Sequence, residues 1–235
     1  MKRFWREVAV EPTDGGWRVA LDGRGVKTPQ GRPQVVPTHA LAEALAAEWQ
    51  AQGAEVDPAG FAYRDLADYA IDVVAPDRGE AVRRLLAFAE GDTLCYRAEP
   101  DEALAGRQRA LWEPLLKACE ESRGVRFERA VGIVHRAQPA ATLATLRGEL
   151  ETLDPFTLAA LLALTGLAAS LVVGLAALEP GAEPEVLYAA ANLEEDWQAE
   201  QWGWDHEAEK RRARKLAEFT AAARFAALLR ENCGT

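Results

Sequence analysis

The densest run of side chains able to do chemistry reads LEEDWQAEQWGWDHEAE, from Leu193 to Glu209. Glu194, Glu195, Asp205 and Glu207, with the imidazole of His206, are the oxygen and nitrogen donors that a divalent cation takes. A metal-assisted hydrolase using the carboxylates around Glu194–Glu207 is therefore one reading. Two features weaken it. The spacing matches no established metal loop, and adjacent acids on a helix point in different directions. A solvated acidic face is the plainer interpretation, and no metal or cofactor is expected. The same run holds Trp197, Trp202 and Trp204. Trp197 follows Glu194 by three residues, so one helical face can carry both acid and indole. Indoles bury much apolar area while keeping one N–H donor, which suits them to anchor a protein partner. Glu194, Glu195, Asp196, Trp197, Trp202, Trp204 and Asp205 together are the candidate partner-binding residues. Gly203 is positioned to end their helix.

No catalytic signature competes with this run. GxGxxG, GxxxxGK[ST], HExxH and GxSxG are all absent. His39, His135 and His206 are far apart, and no nucleotide-binding loop is evident. Cys95, Cys119 and Cys233 form no CxxC pair, so they read as ordinary reduced thiols. Without a nucleotide-binding loop, an ATP-driven machine is not expected.

The elements that position the run are set in an uneven field of charge. The chain has 235 residues, 37 acids and 27 Lys and Arg, for a formal charge of −10. Residues 148–209 contain 13 acids and no Lys or Arg, leaving 27 bases against 24 acids elsewhere. The acidic block stops at KRRARK, residues 210–215, whose blandest role is to pair with that block inside the fold. Such a balance argues against nucleic acid or an anionic membrane surface as a partner.

Turn and cap chemistry divide the chain into a small β-rich α+β domain, residues 1–76, and a larger all-helical domain, residues 77–235. Residues 4–10 and 17–22 read as strands around the turn PTDGG, with shorter strands at Val26–Thr28 and Gln34–Val36. Thr38 is an N-cap for a helix closing near Gly53, on which Leu41, Leu45 and Trp49 share a face. Residues 61–74 predict a second helix. Later helices are expected near 79–91, 101–122, 139–152, 155–178, 183–200 and 205–231, with 125–134 ambiguous. The uncharged run 155–178 is long enough to span a bilayer. It is nonetheless Ala-rich, starts on Asp154-Pro155 and lacks flanking Lys or Arg, so it reads as buried helix, with Thr165-Gly166 the expected break. The N-terminus carries no secretory or transit segment, which suggests a cytoplasmic protein.

Several segments, in order, resemble one family. They are FWREV, GGWRVALDGRGVKTPQGRP, VPTHALAEALAAEWQAQG, LADYAIDVV, GDTLCYRA, RQRALWEPLL and LEEDWQAEQWGWDHEA. They resemble the assembly chaperone of the F-type ATP synthase catalytic head, which holds the alpha subunit, and the likeness spans about residues 4–230. It implies an N-terminal α+β domain, a helical domain, no enzymatic activity, and the unassembled alpha subunit as partner, with its beta-facing surface protected. Lack of a targeting segment makes this chain similar to bacterial members. The family's critical glutamate lies in the acidic segment before the WG pair, so the resemblance points to Glu194 or Glu195. The short QWGWDHE stretch departs from the longer spacing of eukaryotic members.

Overall fold

A computed structural model describes residues 2–132, 134–203 and 205–231. The described residues form two compact units. Unit 1 comprises Met1–Arg78, Asp154–Ala160 and Ala221–Thr235; unit 2 comprises Gly79–Leu153 and Leu161–Thr220. The architecture is α+β, with a small N-terminal sheet followed by a mostly helical remainder.

Unit 1 begins with an antiparallel sheet of order β1-β2-β3, formed by β1 (Val8–Thr13), β2 (Gly16–Leu21) and β3 (Arg24–Gly25). Strand β1 starts later than the expected 4–10 because its approach is held differently. The Asp22 carboxylate accepts from the backbone N–H of Arg6 and Glu7, at 3.0 and 2.9 Å. Asp22 and Gly23, at φ 49° and 74°, make the two-residue turn that pairs Leu21 with Arg24. Both centres need positive φ, which the Asp-Gly dipeptide tolerates. Val36 pairs with Trp17 as an isolated bridge, in place of a second regular hairpin.

Helix α1 (His39–Gln50) packs on β1 and β2 through Leu41, Leu45 and Trp49. Thr38 caps it by accepting from Leu41 N–H at 3.2 Å, while its own hydroxyl donates to the Leu228 carbonyl at 2.9 Å. Trp49 sits edge-on between Trp5 and Phe61, at centroid distances of 4.9 and 4.7 Å. Helix α2 (Ala62–Tyr69) runs into a wider π-helical turn at Ala70–Val74. Its N-terminus is capped from a distance by Glu48, which accepts from Tyr63 and Arg64 N–H at 2.6 and 2.9 Å.

Unit 2 holds α3 (Arg78–Glu90) from Gly79 on, α4 (Ala103–Arg123) and α5 (Ala140–Thr152). It also holds the parallel pair β4 (Tyr96–Arg97) and β5 (Ala130–Val131), and the described residues of the ambiguous segment 125–134 contain no helix. The uncharged run forms two helices, α6 (Pro155–Ala168) and α7 (Leu171–Ala177). Asp154 starts α6 as expected, accepting from Phe156 N–H at 2.9 Å. The break falls at Ala169-Ser170 and not at Thr165-Gly166. Ala169 adopts φ 49°, and its carbonyl is held by the Thr93 hydroxyl at 2.8 Å. Ser170 then caps α7 through Val173 N–H at 3.1 Å. Neither helix is long and apolar enough to cross a membrane, and the same holds for every helix among the described residues.

Asp92, fully buried between α3 and β4, accepts from Leu94 N–H and Val172 N–H, both at 3.0 Å. Cys95 and Cys119 are buried free thiols whose pKa values burial pushes up to about 12 and about 11, leaving them inert as nucleophiles. Cys233 lies outside the described residues.

The approach of α6 to α7 requires Gly174. A β-carbon there would stand 2.4 Å from Thr165 Oγ1 and 3.1 Å from Leu161 Cδ1. Gly174→Ala should therefore destabilise unit 2 by ~1–3 kcal/mol, as overpacked cores do. Thr165 Oγ1 is buried and has no hydrogen-bond partner, so Thr165→Ala removes the clash at little loss. The double variant should regain most of the denaturation midpoint that the single variant forfeits. An additive double loss would show the clash is not the cause.

Candidate functional site

The chain reaches the acidic run through α8 (Pro184–Ala191), turns at Asn192 and enters α9 (Leu193–Trp202). The expected continuous helix over 183–200 is thus two. Leu193 is buried and fixes the start of α9. Glu194, Glu195 and Asp196 fill its first turn, where negative charge suits the exposed N–H groups and the helix dipole. Gly203, at φ 85°, ends α9 as expected. Helix α10 (His206–Leu228) follows.

The seven candidate residues are placed in three ways. Three are held within unit 2. Glu194 Oε1 accepts from Gln108 Nε2 of α4 at 2.7 Å. Asp196 binds Arg212 of α10 through the guanidinium Nε and Nη2, and this bond raises the pKa of Arg212 further above its ordinary value. The Trp197 ring lies under Arg107 of α4, with the guanidinium carbon 4.4 Å from its centroid. Three more face solvent. Glu195, Trp202 and Asp205 are exposed, with Trp202 at 81%, and none makes a side-chain hydrogen bond or ion pair among the described residues. The seventh, Trp204, lies outside the described residues.

Gln108 deserves its place at the centre of this arrangement because it is fully buried yet doubly bonded. Its Oε1 accepts from Ala98 N–H at 2.8 Å while its Nε2 holds Glu194. Arg107 donates from Nη1 to both carboxylate oxygens of Glu200, at 2.9 and 2.7 Å, and so clamps α9 one turn beyond Trp197. Below them Trp112 is fully buried and donates from Nε1 to the Ala190 carbonyl at 2.6 Å, fixing the end of α8. An open groove of about 460 Å³ runs beside α9 and α10, lined by Asp196, Glu200, Glu209, Arg212, Ala213 and Leu216. The expected pairing of KRRARK with the acidic block is realised by Arg212. Arg107 and Gln108 escaped the residue-level reading, although RQRALWEPLL contains both; nothing in local spacing ties them to a helix 86 residues away.

Among the described residues no three His, Cys, Asp or Glu side chains converge on a point that could hold a metal ion. The carboxylates from Glu194 to Glu207 spread along and around two helices, as the divergence of neighbouring helical positions requires.

Residues 2–120 match the model of the ATP12 chaperone protein family. The chain belongs to that family. The crystal structure of Atp12 from Paracoccus denitrificans is 37% identical, with TM-score 0.92, covering 97% of this chain and 98% of that one. The Atu1473 protein from Agrobacterium tumefaciens is 38% identical, with TM-score 0.93, over 97% of this chain and 86% of that one. The mitochondrial protein atp12 of Schizosaccharomyces pombe is 28% identical over 214 residues, 86% of this chain and 74% of that protein. The family is one of chaperones and not of enzymes. This agrees with the absence of catalytic signatures and displaces the hydrolase reading.

Proposed function

We propose that the chain binds the unassembled alpha subunit of F-type ATP synthase and covers its beta-facing surface until the catalytic head assembles. The observation that carries this reading is the division of labour on α9. Glu194 and Trp197 are braced from α4, whereas Glu195 and Trp202 are exposed and make no side-chain hydrogen bond or ion pair among the described residues. A braced helix presenting acid and indole fits a basic, apolar patch. Acid steers encounter and sets specificity, and the indole supplies buried area. The acidic face stands in for negative groups that the alpha interface meets after assembly. A bacterial cytoplasm is the setting we infer, supported by the bacterial origin of the solved relatives. One relative of the same fold, P. denitrificans Atp12p, has been solved as an aspartate-to-lysine mutant.

Co-expression with the alpha and beta subunits, followed by pull-down, tests the partner. Capture of alpha without beta is expected, and capture of neither refutes the reading. Glu195→Lys should weaken alpha binding ~10–100-fold, as expected for charge reversal at an interface, and flatten its salt dependence. Glu194→Lys should do the same and also lose its bond to Gln108. Unchanged affinity and salt dependence in both variants would remove α9 from the interface.

A further inference from the structure

Gln108 also borders a second cluster, of opposite sign to α9. Arg97 donates from Nη1 to the Gln108 carbonyl at 3.1 Å and from Nη2 to Glu113 at 3.2 Å. Arg129 donates to the other oxygen of Glu113 at 3.0 Å and is further engaged by Glu120. Arg97, Arg129 and Arg109 line a cavity of about 200 Å³ together with Glu113. The remaining wall includes Pro100, Ala105 and Val131.

Counting Glu120, which also pairs with Arg129, three guanidiniums meet two carboxylates, so the cluster is short of one negative charge. Arg97 is mostly buried, and its Nε is enclosed without an acceptor. Burial holds its pKa below the ordinary value, and the positive charges of Arg129 and Arg109 add to that effect. Arg109 makes no hydrogen bond or ion pair among the described residues. An anion entering the cavity would meet a free guanidinium and relieve the repulsion among three like charges.

We propose that this cavity receives a carboxylate on a short hydrocarbon stem, the glutamate side chain of a partner polypeptide. The apolar wall decides between anions. Methylene groups bury favourably against Pro100, Ala105 and Val131, whereas a doubly charged phosphate would lose hydration there and face Glu113 at greater repulsion. Guanidinium groups take a planar carboxylate through paired N–H donors. The site stands on unit 2 alone and does not depend on which protein supplies the glutamate.

The test follows arginine Nε–H resonances of the intact, nitrogen-15-labelled chain by NMR. The probe is N-acetyl-glutamate α-amide, titrated at constant ionic strength, with N-acetyl-glutamine α-amide, inorganic phosphate and chloride in parallel. The glutamate probe should produce saturable shifts at Arg97 and Arg109, half-complete at about 1–10 mM, the range for a single small anion. Arg109→Gln, at an exposed position, should preserve the backbone spectrum and weaken the probe ~5–10-fold, as loss of one charge-assisted contact would. Shifts that grow linearly, or that glutamine or chloride reproduce, would overturn the proposal. So would tighter binding of phosphate than of the glutamate probe, or unchanged affinity in Arg109→Gln.

Discussion

Asp92→Ala is expected to destabilise unit 2 by ~3–5 kcal/mol, because it strips the acceptor from two buried N–H groups at once. Those groups, on Leu94 and Val172, lie on two segments that the Thr93 hydroxyl also ties together through the Ala169 carbonyl. The loss should be read in urea as a lower midpoint. It should be accompanied by early exchange of amide hydrogens at the start of α7, where the Ala169-Ser170 break relies on the same locality. Asp92→Asn should be intermediate, since an amide offers one acceptor where the carboxylate offers two. A midpoint within experimental error of the parent chain would show that water replaces the carboxylate.

The same residue sets a pH dependence with an unusual sign. Burial raises the Asp92 pKa from 3.8 to about 6, against the lowering effect of its N–H and hydroxyl donors. The folded state thus holds this proton more tightly than the unfolded state. Its contribution is fully present below pH 4 and is lost as pH rises toward and through 6. The stability gap between parent and Asp92→Asn should change by roughly 2–3 kcal/mol across that window, moving against the parent as pH rises. A pH-independent gap would contradict the raised pKa.

Trp112→Ala is the second large effect, at ~3–5 kcal/mol for an emptied aromatic site. Trp112 is fully buried, carries Arg97 5.3 Å from its ring centroid and bonds the Ala190 carbonyl. Its loss should therefore also release Asn192 and the start of α9, lowering partner affinity beyond what α9 substitutions at exposed positions do. Trp112→Phe keeps most of the volume and forgoes the hydrogen bond, so it should cost only about 1–2 kcal/mol. Calorimetry and partner capture on the two variants separate packing from positioning. Equal losses in both would mean that the hydrogen bond, and not the volume, dominates.

What could be read from the sequence was local. Thr38 and Asp154-Pro155 start helices because capping needs only the residue and the N–H groups just after it. Gly203 ends α9 for an equally local reason. What escaped depended on distant partners. The α6–α7 break was expected at Thr165-Gly166 on composition, yet it falls at an alanine forced into the left-handed region by Thr93 and Ser170. Similarly, β1 starts after residue 7 because Asp22 ties down Arg6 and Glu7. The acidic and aromatic run was visible as a set, but its sorting into braced and outward members was not. That sorting belongs to Gln108 and Arg107, on a helix far away in sequence, and to Arg212 on the helix that follows.

The Thr38 hydroxyl closes on the carbonyl of a residue 190 positions later. During synthesis, the first sheet and α1 leave the ribosome long before that carbonyl exists. Unit 1 must then wait, incomplete, while all of unit 2 emerges, and can finish only once the residues from Ala221 on have been made. Domains whose members are contiguous avoid such a delay, and long-range closure slows folding. This assembly chaperone thus spends most of its own synthesis with its first unit unfinished.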